Sequence, residues 1–503
     1  MSLPPHLVEL QREIRAHAKA YGLDTYEVIF EMVSEEEMAM VAAYGGFPTR
    51  YPHWKWGMEF DSLSKGHTYG LQKIYELVIN TDPCYAYLMQ GNSVTVQKLV
   101  MAHVYGHCDF FKNNVFFAHT NRRMLDVMAN HAARIRRYMD RHGVEIVESF
   151  LDRCLTIENL IDPQSVFATK KKGPKKAVSA VADEPEAKMV RLIPTEKSYL
   201  RGYMNPQSFI DAEKKKIDEE AKKKKRFPEH PERDVLAFLL EHSPLEPWQR
   251  DVLSIVREEA YYFAPQAQTK IMNEGWASYW HSKIMTTRAL RDSELIEYAQ
   301  VHSGTMGMQP GRINPYKLGV ELFRHIEDRW NKGQFGKEWE ECDDLAQRKR
   351  WDKQLGLGMK KLFEVRKLYN DVTFIDEFLT QDFARAQKLF TYGVNKKSGD
   401  WEIQSREFKE IKRKLVLQLT NLGQPRISAL DANWENRGEL LLHHAHEGVD
   451  LQQDWARDSL SAVFAVWGRP VLIATKVDNK GVLIRYDGKA HSEKSSNVVS
   501  ELR

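Results

Sequence analysis

The sequence predicts an α+β protein: a large, mainly helical part followed by a small α/β C-terminal domain. Three observations predict it. Up to about Thr380, apolar residues recur three and four apart, the period of helices with one buried face. After Thr380 the texture changes to short apolar runs bounded by Asn, Asp, Gly and Lys, which reads as strands and hairpins. Between the two helical halves, the composition shifts at Pro163 into a lysine-rich stretch without an apolar face. The expected division is 1–162 helical, 163–233 a flexible insertion with an exposed charged helix, 234–384 helical, and 385–503 small α/β.

Bulk properties narrow the class. The chain has 503 residues, 73 basic and 70 acidic, for a formal net charge of +3. That balance gives no global argument for nucleic acid or an anionic membrane. Cys84, Cys108, Cys154 and Cys342 lie far apart and form no CxxC pair, which suits a reducing cytosol. The N-terminus has no basic region followed by an apolar core, and no apolar run approaches the ~18 residues of a membrane span. A cytoplasmic protein is expected.

In chain order, residues 5–45 read as helices, with Leu7, Leu10 and Ile14 as one stripe and Val28, Ile29, Met32 and Val33 as another. Residues 51–61 read as an aromatic loop carrying Glu59, either capping a core or walling a cleft. Residues 69–81 read as helix, then 93–111, with Asn113-Asn114 expected to end it in the left-handed conformation. Residues 121–161 are helical. Lys170–Lys176 and Lys222–Arg226 mark the insertion and the charged helix. Aromatic residues do not interleave the lysines, which weighs against single-strand nucleic-acid binding. Two helices follow from Asp234, and Pro265 is expected to interrupt the second. Residues 286–302, 315–331 and 355–382 continue as helices, with a glycine-rich loop at Ser303–Gly311 and His302 as a reserve ligand. A hairpin is expected across Asn395–Gly399 and a helix at 405–413. Strands are expected at 414–420, 426–433, 438–444, 471–477 and 482–486, with a helix over 450–467. His443, His444 and His446 cluster at a strand end, where at most the last two share a face.

Two stretches carry chemistry. His103 and His107 stand four apart in the 93–111 helix, so both imidazoles share a face, roughly 5–6 Å apart at Cβ. One helix gives two nitrogen ligands to a zinc-like ion by that spacing. A third ligand is required, and Glu274 is the candidate, near the start of a helical run where a carboxylate is favoured. His281 is two turns further on the same face, about 10 Å along the axis, too far to share the ion comfortably. It reads as a group behind a ligand or beside the substrate. A two-histidine, one-carboxylate set suits zinc and also manganese or iron.

Asn273-Glu274-Gly275-Trp276-Ala277 resembles the Asn-Glu-Gly-Phe-Ala element of gluzincin metallopeptidases, and His103-x-x-x-His107 resembles the histidines of their His-Glu-x-x-His helix. The resemblance implies a gluzincin-like helical domain with His103, His107 and Glu274 on zinc. It departs at Val104, where the family has its water-activating glutamate. The general base must then come from elsewhere, and Asp109, Glu59 and Glu258 are the candidates. Tyr105, Asn113 or His281 are candidates to steady a tetrahedral intermediate.

A closer likeness covers nearly the whole chain apart from the lysine-rich insertion. His103-Val-Tyr-Gly-His107, Phe110-Phe-Lys-Asn-Asn114, Met272–His281, His302-Ser-Gly-Thr-Met306 and Tyr369–Phe378 resemble the stage V sporulation protein R (SpoVR-like) family. That resemblance implies a cytoplasmic bacterial protein tied to spore cortex, hence peptidoglycan, formation, or to stress alongside a serine protein kinase. Joined to the metal motif, it sets the expectation of a zinc-dependent hydrolase acting on an amide or peptide bond of a peptide or peptidoglycan-related substrate. The alternative is a non-catalytic metal-binding regulator or assembly factor in sporulation or the stress response. Three ligands and an open water position would favour the first, four protein ligands the second.

Overall fold

A computed structural model describes residues 3–68, 76–167, 226–308, 312–395 and 399–496, with Pro206, Gln207, Asp211 and Lys215 besides. The architecture is mixed α+β, mostly helical, with a β-rich C-terminal region, as the sequence predicts. The lysine runs and most of the expected charged helix lie outside the described residues.

Among the described residues, the α-helices of six residues or more are α1 (Pro5–Ala20), α2 (Glu35–Ala43), α3 (Trp54–Thr68), α4 (Val94–Asn113), α5 (Met124–His142), α6 (Val144–Thr156), α7 (Val235–His242), α8 (Pro247–Gln268), α9 (Lys270–Ile284), α10 (Leu295–Thr305), α11 (Pro315–Lys332), α12 (Gly358–Leu368), α13 (Asp371–Phe378), α14 (Gln381–Ala386), α15 (Phe408–Leu419) and α16 (Gln453–Trp467). The strands are β1 (Val28–Val33), β2 (Leu77–Ile79), β3 (Cys84–Met89), β4 (Thr391–Val394), β5 (Trp401–Ser405), β6 (Ile427–Trp434), β7 (Glu439–His444), β8 (Val471–Val477), β9 (Lys480–Tyr486) and β10 (His491–Ser495). The chain falls into two compact units, residues 1–148 with 261–424, and residues 149–260 with 425–503.

The first unit is built around α4. Its residues from Thr95 to Phe111 are all buried, so it is a central helix rather than an amphipathic surface one. A three-stranded sheet, order β1-β3-β2, belongs to the same unit, with β1 parallel and β2 antiparallel to β3. Helix α9 is nearly as buried as α4. Small residues let these helices approach. A Cβ on Gly106 would stand 2.7 Å from the Cα of Ala277, and one on Gly275 would collide with the backbone of Gly319 on α11. Asp371 caps α9 from a distant part of the chain, accepting from the backbone N–H groups of Ile271 at 2.8 Å and Met272 at 2.9 Å.

The second unit holds a five-stranded sheet in the order β10-β9-β8-β7-β6. Only β7 and β8 are parallel, and α16 is the crossover between them. The expected hairpin across Asn395–Gly399 forms as β4 and β5, in the first unit.

Several local expectations differ from the structure. Val28–Val33 is a strand, because β-branched and aromatic side chains there pair along β3, and a buried parallel strand lacks the alternation that would reveal it. Residues 54–68 are helix, not loop. Of the expected helix at 69–81, residues 69–75 lie outside the described residues and Leu77–Ile79 is strand. Pro265 sits within α8, which runs on to Gln268. Residues 414–419 close α15 rather than form a strand. Asn114 ends α4 in an extended conformation, and its side chain instead donates to the carbonyls of Arg366 and Tyr369.

Candidate metal centre

Helices α4 and α9 bring their functional side chains to one point. The Nε2 atoms of His103 and His107 each lie 3.5 Å from Oε2 of Glu274. A fourth group joins them: Glu76, just before β2, places Oε1 3.4 Å from His103 Nε2. One donor atom from each of Glu76, His103, His107 and Glu274 falls within 4.8 Å of all the others. This is the one such cluster found among the described residues.

The close packing explains the geometry. Gly106 lies between the two histidines in sequence and Gly275 follows Glu274, so each motif carries the small residue that lets its helix approach a neighbour. Glu274 is the fifth residue of α9, one turn on from Lys270, whose ammonium it meets.

Burial makes the cluster electrostatically demanding. His103, His107 and Glu274 are 2%, 4% and 5% exposed. Burial alone would raise the Glu274 carboxyl, but His103, His107 and Lys270 hold it well below the usual range. Burial likewise works against a charged His103, and the carboxylates of Glu76 and Glu274 override it, raising its pKa. His103 Nε2 and Glu274 Oε2 have no hydrogen-bond partner. At 3.5 Å the two attract as charges without making a hydrogen bond. A cation at their centre would satisfy both, so the residues present fit a divalent metal.

The surrounding groups orient the donors. His107 Nδ1 lies 2.9 Å from Asn273 Oδ1, and His103 Nδ1 lies 2.8 Å from His281 Nδ1. The spare Glu274 oxygen, Oε1, accepts from Lys270. The Tyr316 hydroxyl lies close to both carboxylates, Glu76 and Glu274, and burial together with their negative charge pushes its pKa up.

The other sequence candidates fall elsewhere. Asp109 accepts from the indole N–H of Trp276 and the backbone N–H of Asp24, both at 2.8 Å, and pairs with Arg366. Burial lifts its carboxyl to about 6 against the pull of Arg366. Tyr105 meets Phe30 edge-on. Asn113 donates to the carbonyls of Asp24 and Asp109. Glu59 is exposed on α3, and Glu258 is exposed on α8 in the second unit. His302 bonds to His281 and not to the cluster. In the second unit, His444 Nδ1 is paired with Thr475 and His446 with Asp450.

Glu76, Asn273 and Tyr316 were not assigned from sequence. Asn273 stood inside a motif already singled out, beside Glu274, and an amide there has an obvious use in holding a ligand. Glu76 and Tyr316 carry no periodic or motif signal: a carboxylate before an apolar triplet and a tyrosine in Asn314-Pro-Tyr316 look ordinary until the chain is folded.

A family model described as SpoVR like protein matches residues 3–424. A protein of Escherichia coli (strain K12), named uncharacterized protein YcgB, is 30% identical over 504 residues, covering 92% of this chain and 90% of its own length. No solved structure matches the chain.

Proposed function

The chain belongs to the SpoVR-like family, and from that premise and the four-residue cluster we propose that it is a zinc-type metal-dependent hydrolase of amide or peptide bonds. The observation that carries the reading is the pair of buried ligand atoms, His103 Nε2 and Glu274 Oε2, facing each other at 3.5 Å without a hydrogen bond. A divalent ion there would supply Lewis acidity and a bound water whose pKa is brought to about 7. His103, His107 and Glu274 would hold it. Glu76 supplies the carboxylate that Val104 does not, as proton acceptor. The Tyr316 hydroxyl, close to the two carboxylates, is the donor that would stabilise charge developing on a substrate oxygen. Lys270 keeps Glu274 ionised and oriented.

The proposed substrate is a peptide or peptidoglycan-related amide, in the cytoplasm, with spore cortex formation or a stress pathway with a serine protein kinase as its setting. The helical unit is proposed as gluzincin-like on its two motifs. Among the described residues, no helix is long and apolar enough to cross a membrane.

One observation favours a second reading. Glu76 makes a fourth protein donor, and four protein ligands describe a closed, structural site. In that case the protein is a non-catalytic metal-binding regulator or assembly factor, and Glu76 is a ligand.

The test is the metal content of purified protein. Wild type is expected to carry a stoichiometric divalent metal, identified by mass spectrometry as zinc, manganese or iron, and His103→Ala and Glu274→Ala to lose it. Wild type without metal, or both variants with unchanged metal, overturns the proposal.

A further inference from the structure

Behind the cluster lies a row of histidines that metal binding alone does not require. His103 turns Nε2 toward the carboxylates and Nδ1 toward Nδ1 of His281, 2.8 Å away. His281 then places its Nε2 3.0 Å from Nδ1 of His302 on α10. His281 is 3% exposed, and His302 is partly exposed. The far end is held firmly. The Tyr298 ring stacks on His302 at 5.4 Å and 14°. Just before α10, the Glu294 carboxylate accepts from buried Lys98 of α4 at 2.7 Å, and Glu297 accepts from Ser93.

A neutral imidazole has one N–H and one lone pair. Two nitrogen–nitrogen contacts in series therefore have two self-consistent directions. Either each ring donates outward, from His103 to His281 to His302, or each donates inward. Inward donation puts the His103 proton on Nε2, where it blocks a cation. Outward donation leaves that lone pair free. His107 is set in the same sense by a different device, because Asn273 Oδ1 only accepts and so fixes the proton on Nδ1.

We propose that His281 and His302 are positioning residues that hold His103 as the Nδ1–H tautomer, ring-oriented, with Nε2 presented to a divalent cation. The inference rests on the metal reading above. It also gives a reason for histidine at these positions. Metal-bound imidazoles are commonly backed by carboxylates or carbonyls. Here two carboxylates already face the ion, and a neutral partner fixes the tautomer without a third buried negative charge.

Two measurements on the full chain test it. In wild type loaded with zinc, nitrogen-15 imidazole spectra are expected to show Nδ1–H on His103 and Nε2–H on both His281 and His302. In chelator competition, His281→Leu is expected to weaken zinc binding about 10- to 100-fold. His281→Gln, whose carbonyl oxygen still accepts from His103 Nδ1–H, should recover most of it. Nδ1–H on His281, or wild-type zinc affinity in His281→Leu, overturns this inference and leaves the metal site standing. Zinc-free wild type overturns both. Should His281→Leu fail to fold, the wild-type spectrum decides alone.

Discussion

Glu76 and Glu274 are both carboxylates of one cluster, but they are not placed alike. Glu274 Oε2 is equidistant from the two imidazoles, 3.5 Å from each, with a side chain 6% exposed. Glu76 lies within salt-bridge range of His103 alone, with a side chain 16% exposed. An atom centred between two ligands is where a metal's third bond belongs, and an atom to one side, nearer solvent, is where a proton acceptor belongs. Glu76→Gln is therefore expected to keep the metal, losing under about tenfold in affinity, roughly 1.4 kcal/mol. Glu274→Gln should lose the metal outright. Titration of both apo-proteins with zinc or manganese checks this. If Glu76→Gln loses binding as completely as Glu274→Gln, Glu76 is a ligand and the closed, non-catalytic reading gains.

At the scale of helices, the site exists because α4, α9 and α11 pack closer than ordinary side chains allow. Glycine inside a helix costs roughly 0.5–1 kcal/mol relative to alanine, so two such residues at buried contacts imply a compensating need. At Gly106 the added methyl would meet backbone, not a side chain that can swing away. Gly106→Ala and Gly275→Ala are each expected to destabilise the protein by about 1–3 kcal/mol through overpacking. Both should also weaken metal binding, since parting the helices parts the donors. Gly57, in α3 with open space around it, is the control: Gly57→Ala should be neutral or stabilising by up to about 1 kcal/mol. Denaturant midpoints of the three variants give the comparison, and a harmless Gly106→Ala would show that close packing does not set the site. These glycines also explain what was legible beforehand. The His103/His107 pair and Glu274 could be read from sequence because helical spacing and motif place them locally. That Glu274 meets the pair depends on the approach of two helices far apart in the chain, which no local pattern encodes. Asp109 read as a candidate base because it is polar and next to the motif. Its partners Asp24, Trp276 and Arg366 come from three other segments, so its use inside the core was invisible from its neighbours.

At the scale of the whole chain, the same reasoning separates the helical period from the strands. The long helices announced themselves through repetition, whereas β1 did not, because Val28, Ile29, Met32 and Val33 satisfy a helical spacing as well as a buried parallel strand. Only its pairing partner, β3, decides between them. The division into two units carries the last prediction. All four cluster residues belong to the first unit, two of them on α4 and one on α9. A ligand that binds only the folded state stabilises it by RT ln(1 + [L]/Kd), about 2.7 kcal/mol at a hundredfold excess over Kd. That free energy acts on the openings that break the cluster. Removing the metal with a chelator should therefore speed hydrogen exchange in Val94–Asn113 and Lys270–Ile284. Exchange in β8 and β9 of the second unit, whose core residues such as Leu472 and Ala474 take no part in the cluster, should stay unchanged. A chelator effect spread evenly over both units would mean that the metal acts on the chain as one cooperative block, and one confined to the second unit would place the metal elsewhere.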